Sequence, residues 1–265
     1  MGTDLRELLR QHGFTPFNAE RWSNFVTHVL KRFRDAADEL RQPDNWEKFK
    51  QKKGALGRPR KRKRQKIIQR VPIEDGLTSE LAEFARSARR TDTKTKRFLR
   101  LNDVEFHCEY PVPSATHAGR HLRKVDFYVC SATGVGAPEL AIEAKPLVTQ
   151  EDIVGRYLAA EGLGNFLTKD PPYTQGPLGA MLAYTISDTG RSWRAEIRAA
   201  LSVYQPTVLQ LDDARVEGAP EPLTFSRHVR SALGLDPIAI LHLEMIFASD
   251  IQDVPESPPG ASTEA

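Results

Sequence analysis

Apolar residues recur at spacings of three and four through residues 3–50: Leu5, Leu8 and Leu9 form a short stripe, and Trp22, Phe25, Val26, Val29, Leu30 and Phe33 a longer one. On a 3.6-residue period each set falls on one side of a helix. Two amphipathic helices are therefore predicted, the second capped by Asn18 and ended before Pro43. A further helical period opens at Gly76 and Thr78 and runs to about residue 90, with Leu77, Leu81, Phe84, Ala85 and Ala88 on one side. The period then changes to two. Residues 104–110 alternate until Pro111 and Pro113, and residues 123–130 set Val125, Phe127 and Val129 against Asp126, Tyr128 and Cys130. Residues 140–145 place Leu140, Ile142 and Ala144 on one face, and the intervening SATGVGAP reads as a turn, so these last two strands form a hairpin. A helix over 151–167, a short strand over 181–186 and a helix over 191–204 follow. The run IAILHLEMIF at 238–247 fits a buried strand or a short helix, and the closing DIQDVPESPPGASTEA reads as a disordered tail.

A chain of 265 residues is long enough for one large α/β domain with appendages. Its mean hydropathy of -0.47 excludes a membrane-embedded protein, since no apolar run approaches the ~20 residues of a spanning helix. The opening MGTDLRELLRQHG has no apolar leader and the cysteines are two, Cys108 and Cys130, so a reducing cytoplasm is the expected setting. The net charge of +3 conceals an uneven distribution. Residues 48–70 hold 12 of the 38 Lys and Arg and no acid, which leaves 26 bases against 35 acids elsewhere. Such a block repels itself, and a solvated arm whose partner is a polyanion is expected. The resulting division is a helical N-terminal appendage at 1–47, read first as a stabilising cap, a basic arm or linker at 48–72, an α/β domain at 73–248, and a tail at 249–265.

The candidate chemistry lies on the hairpin. Asp126 sits in KVDFYVC, and Glu143 and Lys145 share one face of PELAIEAKPL. Three ionisable groups in core-like strands are costly unless they pair with each other or with a metal. Two carboxylates suit Mg²⁺, with Mn²⁺ as the alternative ion, and an ammonium beside them suits hydrolysis of a phosphodiester. The bland alternative is a cross-strand ion pair between Asp126 and Lys145.

Asp126 followed by Glu143-Ala144-Lys145 on the next strand resembles the PD-(D/E)xK nuclease superfamily, the restriction-endonuclease-like fold, over about residues 77–186, with Val125 where the family name has proline. The resemblance implies a mixed central sheet flanked by helices. It also implies that Asp126 and Glu143 ligate the metal, that the Ala144 carbonyl adds a ligand, and that Lys145 serves the attacking water. The family often has another acid on the preceding helix. Glu80 lies at the border of that helix's apolar stripe whereas Glu83 faces water, which selects Glu80. The runs GRYLAAEGLGNF and GPLGAMLAYTI resemble the helix and strand that follow the ExK strand in some bacterial defence nucleases; packing residues explain them equally well.

Within the arm, Gly57-Arg58-Pro59 followed by Arg60, Lys61, Arg62, Lys63 and Arg64 resembles an AT-hook, which implies insertion into the minor groove of A·T-rich DNA. A plain electrostatic tether is the open alternative. His107, Cys108, His117, His121 and Cys130 fall close enough together to suggest zinc, but adjacent strand residues such as His107 and Cys108 face opposite ways, and buried thiols with loop histidines are the preferred reading. Arg120, Arg123, His117 and His121 are set before the Asp strand, where they could meet substrate phosphates. Together these features point to a Mg²⁺-dependent DNA endonuclease, and the resemblance implies a place as the effector of a bacterial anti-phage defence or restriction system. Its expected partners are DNA, a sensor or ATPase protein acting in trans, and further copies in a homo-oligomer; no membrane is involved. The competing class is a non-catalytic DNA-binding protein that uses the arm on A·T-rich DNA.

Overall fold

A computed structural model describes residues 2–58, 60–62, 67–87, 89–114, 118–134, 136–186, 192–205, 208–217, 219, 221–248 and 250–253. The amphipathic N-terminal stripes become α1 (Leu5–Gln11) and α2 (Pro16–Leu40), followed by α3 (Pro43–Gln51). Thr15, rather than Asn18, caps α2: its hydroxyl accepts the Asn18 N–H while Pro16 occupies the first turn, where a missing N–H costs nothing. Trp22, Phe25, Val26, Val29, Leu30 and Phe33 are all buried. The next helix, α4 (Glu74–Ser87), starts two residues earlier than its sequence signal; Ala88 lies outside the described residues. A helix not anticipated, α5 (Thr93–Leu101), follows, capped by Asp92, which accepts the Thr95 N–H.

The central sheet contains eight strands: β1 (Thr3–Asp4), β4 (Val104–Pro111), β5 (Lys124–Ser131), β6 (Glu139–Leu147), β7 (Leu178–Ile186), β8 (Gln210–Arg215), β9 (Leu223–Arg230) and β10 (Leu235–Phe247). Their spatial order is β1-β8-β9-β10-β7-β6-β5-β4. Strands β4, β5 and β6 form an antiparallel meander, β6–β7 and β7–β10 are parallel, and β8, β9 and β10 run antiparallel. The ambiguous apolar run is thus a strand, long and buried between β7 and β9.

Helices α1 to α4 cover one face. Their apolar residues share a single cluster with Phe127, Leu140, Ile142, Leu182, Leu241 and Phe247, so the N-terminal helices are a layer of the main core. The opposite face is covered by α7 (Trp193–Ser202) and by the segment expected as one helix over 151–167. That segment is instead a π-helical turn at Ile153–Tyr157, a reversal, and the short α6 (Gly164–Leu167). Gly162 explains the break: a Cβ there would lie 2.3 Å from the carbonyl oxygens of Arg156 and Tyr157, so the chain folds back where no side chain is present. No described helix is long and apolar enough to cross a membrane.

The basic stretch departs from the expected irregular arm. Strands β2 (Arg60–Arg62) and β3 (Ile67–Arg70) pair antiparallel, and β11 (Asp250–Asp253) adds to the other edge of β3. Residues 250–253 of the expected tail are therefore a strand. Charge counted on the basic stretch alone misses this strand, which brings Asp250 into register with Arg70. Lys63, Arg64 and residues 254–265 lie outside the described residues.

Candidate metal centre

The site forms where two strands part. The ladder between β5 and β6 runs from Cys130↔Glu139 to Phe127↔Ile142 and stops there. One residue further, the Asp126 side chain takes the place of the missing backbone acceptor: its Oδ2 accepts the Ala144 N–H at 2.6 Å. A strand residue projects its N–H and C=O to the same side, so the Ala144 carbonyl faces the same opening. Leu140, Ile142 and Ala144 face the core under the N-terminal helices. Alternation turns Glu143 and Lys145 to the other face, toward Asp126.

The third carboxylate comes from the start of α4. Lys145 Nζ lies 2.7 Å from Glu143 Oε1 and 2.6 Å from Glu74 Oε1, and Arg156 Nη2 stands 3.5 Å from Glu74 Oε2. Glu74, Asp126 and Glu143 each offer an oxygen within 4.8 Å of the others. Glu80, the acid selected from the helical wheel, is elsewhere: it pairs with Lys52 at 2.5 Å. The helix presents its first residue to the cleft rather than its middle, and Glu80 lies ~9 Å further along its axis. Glu74 has a sequence signal of a kind, an acid just before the Gly76 that was read as the helix start.

Three carboxyl groups face two cations here, Lys145 and Arg156, so the cluster carries a negative excess only when all three are ionised. Burial pushes both the Asp126 and Glu143 carboxyls above the ordinary range, and for Glu143 the Asp126 charge adds to it; the Lys145 ammonium opposes this without overcoming it. The two titrate as a unit. Burial acts to lower Lys145, yet Glu143, Glu74 and Asp126 together hold its ammonium above its usual value. Glu143 Oε2 is buried and makes no hydrogen bond of good geometry among the described residues, although the Asp126 carboxyl and the Tyr173 hydroxyl stand beside the Glu143 carboxyl. An all-oxygen donor set of three carboxyl groups, which a bound cation would hold deprotonated, fits a hard divalent ion.

These groups line a cleft of ≈ 460 Å³ together with Lys124, Gly155, Arg156, Glu161 and Tyr173. Tyr173 forms its wall, and the Arg123 guanidinium sits 5.6 Å over the Tyr173 ring while donating to Asn165 Oδ1 at 3.0 Å. Arg120 and His121 are exposed on the 3₁₀ turn before β5, and His117 lies outside the described residues. A second hollow of ≈ 470 Å³ shares Glu74 and Arg156 with the first and continues to Gly57 and Arg58. The base of the basic ribbon is fixed there: Gly57 N–H donates to Val71 O and Ile73 N–H to Ala55 O, both at 2.9 Å. Arg58 is exposed at this base, and Arg60, Lys61 and Arg62 follow along β2. Comparison with family models, characterised proteins and solved structures returned no match to this chain.

Proposed function

We propose that the protein is a divalent-cation-dependent DNA endonuclease organised like the restriction-endonuclease-like enzymes. The observation that carries this reading is the convergence of Glu74, Asp126 and Glu143 beside Lys145 at the point where β5 and β6 separate. Glu74, Asp126, Glu143 and the Ala144 carbonyl are the groups to hold Mg²⁺ or Mn²⁺. When bound, the ion supplies positive charge for the phosphoryl oxygens and makes a water a better nucleophile. Lys145, kept protonated by its three acidic neighbours, acts as a fixed donor that orients the attacking water or a phosphate oxygen; it is not a general base. Tyr173, with the Arg123 guanidinium over its ring, lines the cleft.

The substrate follows from charge. A ribbon over residues 57–70 with eight Lys or Arg has both its ends hydrogen-bonded within three residues of Glu74, and the hollow at its base shares Glu74 and Arg156 with the acidic cleft. Contacts to successive phosphates along such a ribbon release counterions and steer a duplex to the acids. The ribbon carries no interleaved aromatic residues for base stacking, which favours DNA duplex over single-stranded RNA. A place as the effector of a bacterial defence system, with a sensor or ATPase protein in trans and a second copy for the other strand, belongs to this proposal on the sequence resemblance alone. Incubation of plasmid DNA with Mg²⁺ tests the reading. Nicking or linearisation by the wild type and none by Asp126→Ala is expected; unchanged binding without cleavage in Mg²⁺ or Mn²⁺ would favour the DNA-binding scaffold.

A further inference from the structure

The outer end of the β4–β5 ladder carries a second group of possible ligands, of a different chemical character. On β4, Val104, Phe106 and Cys108 pack toward the core under the N-terminal helices, so Glu105 and His107 face the other way. On β5, Phe127 and Val129 take the core side and Cys130 shares the outer face with Asp126 and Tyr128. The register sets Glu105 directly opposite Cys130 and His107 opposite Tyr128, so His107 stands diagonally across from the thiol. One ligand atom from each of Glu105, His107 and Cys130 lies within 4.8 Å of the other two. His107 Nε2 and Glu105 Oε2 are 3.0 Å apart.

We propose that Glu105, His107 and Cys130 form a binding site for a transition-metal ion of the Zn²⁺ class, with water in the remaining position. A thiolate, an imidazole and a carboxylate at this separation are the donor set that such an ion takes, and Mg²⁺ does not compete well for sulfur. The scaffold is an antiparallel ladder, whose fixed register holds the three side chains on one face without a loop having to close. Glu139, opposite Cys130, does not complete the set: Thr174 donates to its Oε1 at 2.8 Å and the Tyr128 hydroxyl to its Oε2. A coordination position is thereby left to solvent. Burial, followed by the charges of Glu105, Glu139 and Asp103, raises the Cys130 thiol, so the free protein keeps it protonated and a bound cation would release that proton. The site is distinct from the carboxylate cleft, ~13 Å away along β5. Its effect would be to clamp the edge strand β4 to β5.

Titration of the full chain with Co²⁺, under a phosphine reductant, reads the sulfur ligand directly through the thiolate-to-cobalt charge-transfer absorption. The band is expected to saturate at one equivalent and to be bleached by Zn²⁺. Cys130→Ala abolishes it and His107→Ala weakens it, while Cys108→Ala and Glu143→Gln leave it intact. Absence of the band in the wild type, or its persistence in Cys130→Ala, would overturn the assignment. Should Cys130→Ala fail to fold, alkylation of wild-type Cys130 mapped by mass spectrometry decides the matter: Zn²⁺ slows it if the site exists and leaves its rate unchanged if not.

Discussion

Glu143→Gln separates what the carboxylate does for the fold from what it does for a metal. In the protein alone the replacement costs little. The Glu143 side chain is 4% exposed, and burial with the neighbouring Asp126 charge already holds its carboxyl well above the ordinary range, so an amide of the same shape replaces a group that tends to keep its proton. Lys145 exchanges the Glu143 carboxyl at 2.7 Å for a neutral amide oxygen and retains Glu74 at 2.6 Å. A change of within ~1 kcal/mol is expected. Mg²⁺ reverses the comparison: at a concentration 100 times its dissociation constant a ligand stabilises the folded state by about 2.7 kcal/mol. For a domain of this size that is a rise in Tm of about 5 to 10 °C. Wild type should show it and Glu143→Gln should not. The sign of the pH dependence follows from the raised carboxyl. Its stabilising contribution is complete below the ordinary value of 4.5 and is lost as pH rises through the raised one. The metal binds the deprotonated form, so the Mg²⁺-induced shift grows on going from about pH 6 to pH 8. Differential scanning calorimetry with and without Mg²⁺ provides the measurement. Equal Mg²⁺ shifts in both proteins, or a wild-type shift that shrinks with pH, would refute the reasoning.

Glu74→Gln should abolish Mg²⁺-dependent cleavage while Glu80→Gln, which loses a partner of Lys52, leaves the rate within about twofold; gel analysis of plasmid nicking distinguishes them. Arg32 is fully buried and donates to Ala85 O at 2.6 Å, to Phe84 O and to the Thr91 hydroxyl, tying α2 to the end of α4. Arg32→Met strips these acceptors of a charged donor at about 1 to 2 kcal/mol each, and thermal unfolding should show a Tm lower by about 10 °C. His228 and His242 are bridged by the Ser226 hydroxyl, and burial lowers them to about 4 and about 3. Their stabilising contribution is present above the ordinary value of 6.5 and is lost as pH falls toward those values. Chemical denaturation should thus show stability falling on acidification, by about 3 kcal/mol for His228 and about 5 kcal/mol for His242, and His228→Asn should flatten that fall.

Much of the architecture was written in the periodicity of the chain. The stripe from Trp22 to Phe33, the alternation of Val125, Phe127 and Val129, and the apolar face of Leu140, Ile142 and Ala144 each led to an element observed in the structure. Asp126, Glu143 and Lys145 were likewise legible, because charge at core-like strand positions contradicts the surrounding pattern. Glu74 was not singled out: it precedes the apolar stripe, and the contact that matters depends on where α4 begins relative to β6. A helical wheel gives angles around an axis and no position along it. The break in the 151–167 helix was hidden because Gly162 is compatible with a helix, and a close backbone approach cannot be inferred from composition. Residues Arg60–Arg62 and Ile67–Arg70 read as an irregular arm because the strand that pairs with them comes from the far end of the chain. The grouping of Glu105 with His107 and Cys130 needed the strand register, which fixes which residues stand opposite one another.

In the proposed reaction the acidic cleft binds a divalent ion and, with Lys145, cuts DNA held by the basic ribbon. Strand scission of a covalently closed duplex, followed in parallel with duplex binding for wild type and Lys145→Met, tests it most directly. The wild type is expected to show Mg²⁺-dependent scission that chelation stops, and Lys145→Met to lose scission with binding retained. Scission at the wild-type rate by Lys145→Met, or a wild type that binds duplex and cuts in neither Mg²⁺ nor Mn²⁺, would contradict it.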